Sequence, residues 1–409
     1  MQDVLTPDQI REECQLGDDS RAWAGRVRAL GLVMLAIGVG LGFSAEDEFA
    51  KFFRSYLTSY MFLLSLCLGG LFFTMVHHLV SATWFVAVRR ISEVMAAGFP
   101  LMAVLFLPIL VPMLMGSHSL YPWTDHDEVL KNHVLHGKAP YLNVSFFAVR
   151  AVIYFALWIG LARFFLKNST NQDTTGDPTL TAMMRKRAAP GIIVFALTTT
   201  FAAFDWLMSL EPEWFSTIFG IYYFAGTMIA TFATMTLTLL LLQEKGRMKN
   251  VVSGAHYHDL GKYLFAFTFF WGYIAFSQYM LIWYADLPEE TFWFDIRQSG
   301  NWVTVSKFLV LFHFIIPFGG LLSRHVKQNK APLAFFAILM LFMHWVDMYW
   351  LVMPSLHTES IAFGFVDVAC LLGLGGLFVG GFIARLRGNL LAPVRDPFFK
   401  DSLHFRQPF

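Results

Sequence analysis

Ten long runs of apolar residues, separated by shorter polar segments, dominate the pattern of this chain. Each run is close to the roughly 20 residues that a helix needs to cross the hydrocarbon core of a bilayer. The runs are too long for the strands of a membrane barrel and do not alternate in polarity, so they predict helices. The predicted spans are residues 27–44, 55–80, 94–115, 143–166, 190–210, 215–243, 258–285, 301–323, 331–354 and 360–385.

The pattern predicts an all-α polytopic membrane protein. One membrane domain covers residues 27–385, with polar tails at 1–26 and 386–409. Only a short turn around Glu211 and Glu213 separates the fifth and sixth spans, which should therefore form a tight helical hairpin.

The composition fits a chain dissolved in lipid, because 56% of the residues are hydrophobic and only 14% are charged, against about 25% charged in soluble domains. A net charge of +1 gives no general attraction to nucleic acid. Cys14, Cys67 and Cys370 are far apart and form no CxxC or CxxCH pattern. The chain alone therefore predicts no iron–sulfur cluster, thiolate zinc site or covalent haem.

The distribution of basic residues predicts the orientation. The two tails and the even-numbered loops hold 21 lysine and arginine residues, whereas the odd-numbered loops hold 5. Basic residues accumulate on the cytoplasmic side of membrane proteins, so both termini are expected there. The largest outer loops, 116–142 and 286–300, are acidic and aromatic, which favours docking of an outer partner.

Two parts of the chain resemble each other. Asp205 lies seven residues before Pro212 at the end of the fifth span, and Asp347 lies seven residues before Pro354 at the end of the ninth. This spacing predicts two related four-helix units, spans two to five and spans six to nine. Each unit has an even number of spans, so the repeat is parallel, unlike the inverted repeats of many transporters. The units are residues 55–210 and 215–354.

Each unit also carries one basic residue near its carboxylate. Arg150 in the fourth span and Lys307 in the eighth lie about seven residues from the outer end, which is roughly 10 Å along a helix. Asp205 and Asp347 lie at a similar depth, so the pairs Arg150–Asp205 and Lys307–Asp347 are expected. Two interpretations stay open: fixed ion pairs that set helix register, or groups that conduct protons or face a quinone.

Five further ionisable residues are candidates for a proton path. His344 shares a helix face with Asp347, since the two are three residues apart. The others are His313 in the eighth span, His77 and His78 at the inner end of the second, and Glu93 at the start of the third. For each histidine the alternative is a packed core residue.

Metal and haem ligation by histidine are weaker alternatives. The adjacent His77 and His78 point to different helix faces, so they do not form the facing pair that binds a b-type haem. The remaining histidines are expected in solvated loops without a metal. They are His126, His133 and His136 in an outer loop, and His256 and His258 in an inner loop.

Two long stretches resemble a known family. FAAFDWLMSLEPEWFSTIFGIYYFAG (201–226) and HDLGKYLFAFTFFWGYIAFSQYMLIWYADLPEET (258–291) are similar to the ActF-type, NrfD-like membrane subunit of bacterial alternative complex III. That complex is a quinol:cytochrome c (or other periplasmic acceptor) oxidoreductase, related to the polysulfide reductase membrane anchors. The resemblance covers nearly the whole chain.

The resemblance implies a multi-pass subunit of the bacterial cytoplasmic membrane with no haem or cluster of its own. It implies menaquinone as the quinone, bound either here or only in a sister NrfD-like subunit. The implied partners are that sister, a periplasmic iron–sulfur subunit, c-type haem subunits and a terminal oxidase. The competing hypothesis is a purely structural anchor for the periplasmic redox subunits.

Overall fold

The computed structural model describes residues 7–43 and 49–406, and all regular secondary structure in these ranges is helical. Ten helices are long and apolar enough to cross a membrane, which confirms the predicted polytopic all-α fold. We number them α1 (Asp19–Gly42), α2 (Ala50–Leu79), α3 (Val86–Leu114), α4 (Val144–Thr175), α5 (Pro178–Leu210), α6 (Phe219–Glu244), α7 (Gly254–Ala285), α8 (Trp302–Leu322), α9 (Lys330–Ser355) and α10 (Phe365–Arg387).

Several of the ten helices change character along their length. The third bends between Val86–Ala96 and Phe99–Leu114, and α8 contains a π-helical segment, Val310–Ile315. Short 3-10 turns end α5 and α9, at Met208–Leu210 and Met353–Ser355. Seven short helices lie outside the spans: Pro7–Glu13, Pro122–Thr124, His126–Lys131, His133–Lys138, Pro288–Gln298, Arg324–Gln328 and Phe399–Leu403.

Several helices are longer than predicted, mainly at their ends on the side of the bundle where both termini lie. We call this side the terminal face. The first helix begins at Asp19, α3 begins at Val86 and α4 runs to Thr175. An apolar run in the sequence identifies only the part of a helix that lies in lipid. The prediction therefore omits the polar turns that extend a helix beyond the membrane. Residues 1–6, 44 and 407–409 of the predicted tails and first span lie outside the described ranges.

The connection between α4 and α5 shows how local sequence sets a short turn. Gly176 ends α4 with φ of +68°, a left-handed conformation that glycine adopts without a steric penalty. Asp177 then caps α5 by accepting a hydrogen bond of 2.8 Å from the backbone N–H of Thr179. Pro178 occupies the first turn, where its missing N–H costs nothing.

The spans form two four-helix bundles, as the repeat predicts. In the first, α2 packs on α3 and α5, and α4 packs on the same two helices; in the second, α6 packs on α7 and α9, and α8 packs on these two. The bundles meet where α2 contacts α6 and α9. The second helix therefore lies at the centre of the molecule and is the most buried span.

The peripheral helices α1 and α10 pack against each other along a line of glycines. A Cβ on Gly376 would lie 2.7 Å from the Cα of Gly31, and one on Gly373 would lie 2.9 Å from the backbone N of Leu35. Such close backbone approach is typical of membrane helix pairs. This pair joins the first bundle through contacts of α10 with α2.

Candidate functional site

Two buried carboxylates occupy matching positions in the two bundles. Asp205 lies near the end of α5 and Asp347 near the end of α9, and neither side chain is exposed. Both lie toward the face of the bundle opposite the termini, which we call the distal face. Because a buried charge is costly in a membrane, the groups around each carboxylate decide what it can do.

Asp205 is neutralised by a bidentate ion pair. Arg150 of α4 donates from Nε to Oδ2 over 2.8 Å and from Nη2 to Oδ1 over 3.0 Å. The Tyr154 hydroxyl donates to Oδ2 over 2.8 Å. The guanidinium also bonds the Tyr141 carbonyl over 2.9 Å and lies 3.9 Å from the centre of that ring. The predicted Arg150–Asp205 pair is confirmed, and its geometry is that of a fixed, charge-assisted contact.

Asp347 has no cationic partner among the described residues. Its Oδ1 accepts a hydrogen bond of 2.5 Å from the Tyr222 hydroxyl, and its Oδ2 accepts one of 3.2 Å from the Trp271 indole. The predicted pair with Lys307 is wrong, because Lys307 is exposed on α8. Equal spacing in the sequence does not place these two cations on the same helix face.

His344 lies one helical turn from Asp347 and faces the centre of the molecule. Its Nε2 is 3.1 Å from the Ser65 hydroxyl of α2, and its Nδ1 is buried without a partner. Gly226 of α6 packs on this ring, since a Cβ there would lie 2.7 Å from Nδ1 and 3.7 Å from Asp347 Oδ2. The space between α6 and α9 is thus filled by the histidine and the carboxylate.

His313 completes the group. It lies in the π-helical segment of α8, is completely buried, and has no hydrogen-bond partner on either ring nitrogen. Its ring centre is 4.2 Å from that of Trp271, whose indole bonds Asp347. π-Helical turns occur often at functional sites, and an unpaired buried imidazole carries a desolvation cost. We call Asp347, Tyr222, Trp271, His344, Ser65 and His313 the Asp347 cluster.

His77 and His78 lie at the terminal end of α2, away from the Asp347 cluster. His77 Nδ1 is 2.9 Å from the Phe73 carbonyl, and its Nε2 is 3.3 Å from the Tyr263 hydroxyl. His78 instead stacks on Phe165 of α4, with ring centres 5.6 Å apart. The two rings point to different helices, as their adjacency predicts.

Glu93 belongs to a buried ionic group that connects three parts of the chain. It forms an ion pair with Arg89 over 3.0 Å and accepts a hydrogen bond from Arg90 over 2.9 Å. Arg90 also pairs with Asp173 at the end of α4 over 2.8 Å, and Arg89 pairs with Asp396 after α10 over 2.9 Å. Two adjacent arginines predict a loop, but both lie in the first turns of α3 and are buried.

The distal face holds a further buried cation, Arg297, which was not predicted from the sequence. Arg297 donates to the backbone carbonyls of Trp293, Trp350 and Leu351, and lies 3.4 Å above the Trp293 ring. Burial lowers the pKa of Arg297 to about 9, against the opposing effect of Glu211. Only the aromatic residues around position 297 could have signalled this burial in the sequence.

Glu211, in the turn between α5 and α6, lies near this cation. Burial raises the pKa of Glu211 above its ordinary value, and the charges of Arg297 and Arg54 oppose that rise. Neither arginine forms an ion pair with Glu211 in the described part of the chain.

The outer loop histidines are exposed as expected, whereas the inner pair is not. His126, His133 and His136 are on the surface. His256 and His258 are buried in the first turns of α7, so the prediction of a solvated loop was wrong for them. His256 bonds Ser253 and lies 3.4 Å from the Ser402 hydroxyl, because the chain after α10 covers this end of α7.

The aromatic residues of the outer loops are also mostly internal. Trp123 and Trp293 are buried, and Trp293 stacks on Trp214 with ring centres 4.4 Å apart. The acidic residues Asp127 and Glu289 are exposed. The aromatic rings therefore build the loops, and the carboxylates form their surface.

In residues 7–43 and 49–406, no group of three or more His, Cys, Asp or Glu side chains is arranged to hold a metal ion. Comparison with models of known protein families gives no match to this chain. No curated protein matches it either.

Proposed function

We propose that this multi-pass membrane protein is a subunit of a quinol:cytochrome c, or other periplasmic acceptor, oxidoreductase of the bacterial cytoplasmic membrane. In this proposal it conducts protons through buried ionisable residues during menaquinol oxidation. It carries no redox centre and is not a complete enzyme alone. Its partners are a sister membrane subunit of the NrfD-like type, a periplasmic iron–sulfur subunit, c-type haem subunits and a terminal oxidase.

The observation that carries the proposal is the difference between Asp205 and Asp347. Both carboxylates are fully buried, but only Asp205 has an arginine beside it. A bidentate arginine holds a carboxylate in a fixed, charge-assisted contact. Asp347 is bonded only by neutral donors, so the surroundings do not fix its protonation state. The second bundle is therefore the candidate proton route.

The neighbours of Asp347 extend the route in two directions. Tyr222 connects it to α6 and His344 continues to Ser65 of α2, at the centre of the molecule. Imidazole can accept a proton on one nitrogen and release it from the other. Intramembrane ionisable groups of this kind mark proton relays in pumps and transporters. His77, bonded to Tyr263, would serve the terminal half of the route.

The distal loops support the proposed docking of periplasmic subunits. Exposed carboxylates such as Asp127, Glu128 and Glu289 lie on loops whose tryptophans Trp123 and Trp293 are buried. Exposed acidic residues favour partners of complementary charge. The same loops serve equally in a structural anchor, so docking alone does not separate the two hypotheses.

Replacing Asp347 by Asn in the intact complex tests the proposal. The Asn side chain has the size of the carboxylate but does not titrate. Its amide oxygen can accept from the Trp271 indole, and its amide N–H can donate to the Tyr222 hydroxyl oxygen. We expect an assembled complex whose proton-coupled quinol oxidation falls about 10²-fold, as for loss of a proton-transfer group. The measurement is turnover, together with proton release per electron in proteoliposomes.

Asp367→Asn is the matched control. Asp367 is also a buried carboxylate, held by the Ser55 hydroxyl over 2.7 Å and the Gly364 N–H over 2.8 Å, but it lies at the first turn of α10. Its Asn variant should keep both turnover and proton stoichiometry. If the Asp347→Asn complex assembles and matches the wild type in both, the proton role is refuted and the anchor hypothesis is left.

A further inference from the structure

Arg385 of α10 is a cation without a counter-charge. Its Nε and Nη2 atoms are buried and have no hydrogen-bond acceptor. The guanidinium lies beside the bend of α3, because a Cβ on Gly98 would be 3.2 Å from Nη2 and 2.7 Å from Cys67 Sγ. No carboxylate in the described part of the chain pairs with it. The charge is therefore uncompensated by the chain itself.

The ionisable neighbours of Arg385 include a second cation, Arg28, and no carboxylate. Arg28 of α1 is exposed, and its stem packs on α10, where a Cβ on Gly380 would lie 2.5 Å from Arg28 Cγ. A Cβ on the next residue, Gly381, would lie 3.3 Å from Arg385 Nη1 and 3.3 Å from Leu101 Cδ2 of α3. The Arg28 stem and the Arg385 guanidinium thus flank one glycine pair, at the groove where α10 meets α1 and α3.

This groove lies at the depth of the membrane surface on the terminal side. Gly380 and Gly381 precede Arg387 by six or seven residues, which is roughly 10 Å along the helix. Arg387 itself pairs with Asp18 at the terminal face over 3.1 Å. Arg28 and Arg385 therefore lie just inside the polar end of the bundle, where long basic side chains reach lipid headgroups.

Four acidic residues of the same face are already engaged. Glu93, Asp173 and Asp396 bind Arg89 and Arg90, and Asp18 binds Arg387. Among the described residues no carboxylate forms an ion pair with Arg28 or Arg385, so a ligand can supply the negative charge opposite them. Basic pockets between helices at a membrane surface bind anionic headgroups.

We propose that Arg28 and Arg385 form a binding site for the phosphate of an anionic phospholipid, in the groove between α1, α3 and α10. The exposed guanidinium of Arg28 and the open Nη1 side of Arg385 contact the phosphate, while Leu101 contacts the acyl chain. A choline headgroup would add a third positive charge, so phosphatidylglycerol is favoured over phosphatidylcholine. This inference does not depend on the proposed function.

The test uses the full chain, purified in detergent and depleted of lipid. Phosphatidylglycerol, phosphatidylcholine or inorganic phosphate is added, and the midpoint of thermal unfolding is followed, since a ligand of the folded state raises it. We expect a saturable rise with phosphatidylglycerol alone. Arg28→Gln and Arg385→Gln should each weaken binding about fivefold, the effect of one basic residue near an anionic surface.

Arg21→Gln is the control, because Arg21 is an exposed arginine nearer the start of the same helix; it should bind as the wild type does. If Arg385→Gln does not fold, the exposed Arg28 variant still decides the question. Equal phosphatidylglycerol binding by the wild type and the Arg28→Gln variant would overturn the site. An equal effect of inorganic phosphate would overturn the lipid as its ligand.

Discussion

At the scale of single residues, the two buried aspartates show how one neighbour changes the chemistry of a carboxylate. Asp205 receives two N–H donors from Arg150 and one hydroxyl from Tyr154. Asp347 receives a hydroxyl from Tyr222 and an indole N–H. The first group therefore lies in a fixed ion pair, whereas the second is bonded only by neutral donors.

This difference predicts that replacing Asp by Asn lowers the stability of the folded protein more at position 205 than at position 347. Asp205→Asn leaves the Arg150 charge buried without its partner and should destabilise the protein by about 3–5 kcal/mol. Asp347→Asn removes no ion pair and should cost less. Thermal unfolding of the two purified variants measures the contrast.

A double-mutant cycle of Arg150→Gln with Asp205→Asn supplies the control. The double variant should lose less unfolding free energy than the sum of the losses in the two single variants. Additive costs would show that Arg150 and Asp205 do not stabilise each other.

The sequence predicts the Arg150–Asp205 pair because both residues lie at one depth on neighbouring helices. It cannot predict the Asp347 cluster, because which face of α8 turns inward depends on the π-helical segment at His313. Likewise, the sequence places Arg89 and Arg90 in a loop. In the folded protein they are buried and paired with carboxylates, two of which come from distant segments: Glu93, Asp173 and Asp396. Pairing between distant segments is not visible in local patterns.

At the scale of helices, the ten spans follow from hydrophobicity, and their packing follows from where small residues lie. The α1–α10 pair depends on Gly31, Gly373 and Gly376, which allow the two backbones to touch. Association of helices in lipid gains little from hydrophobic burial, so close packing supplies most of the attraction.

Substituting Gly376 by Leu should therefore separate α1 from α10. A Cβ at this position would meet the backbone of Gly31 at 2.7 Å and the Val27 carbonyl at 2.8 Å. Gly375→Leu, one residue earlier, is the control, since nothing lies within 4 Å of a Cβ there. Disulfide crosslinking of a cysteine introduced at Gly38 of α1 with the native Cys370 of α10 reports the packing, since a Cβ on Gly38 would lie 3.7 Å from Cys370 Sγ. Equal crosslinking in both variants would show that the close approach at Gly376 is unnecessary.

At the scale of the whole molecule, the excess of basic residues on the terminal face predicts its location. Arg185, Lys186 and Arg187 in α5, with the residues around Lys245, belong to that face. Both termini should thus be cytoplasmic. Reporter enzymes fused after α10 should be active when they require the cytoplasm and inactive when they require the periplasm. The opposite result would reverse the direction of the proposed proton route.

The ionic group at α3 has a consequence for biosynthesis. Arg89 pairs with Asp396, 307 residues later in the chain. At translation rates of 5–20 residues per second, about 15 to 60 s pass before that carboxylate exists. During this time α3 is already made, and Arg89 has Glu93 of its own helix but not its second carboxylate. The terminal face is therefore completed last, and a nascent chain that stops before Asp396 leaves two buried arginines without one of their three carboxylate partners.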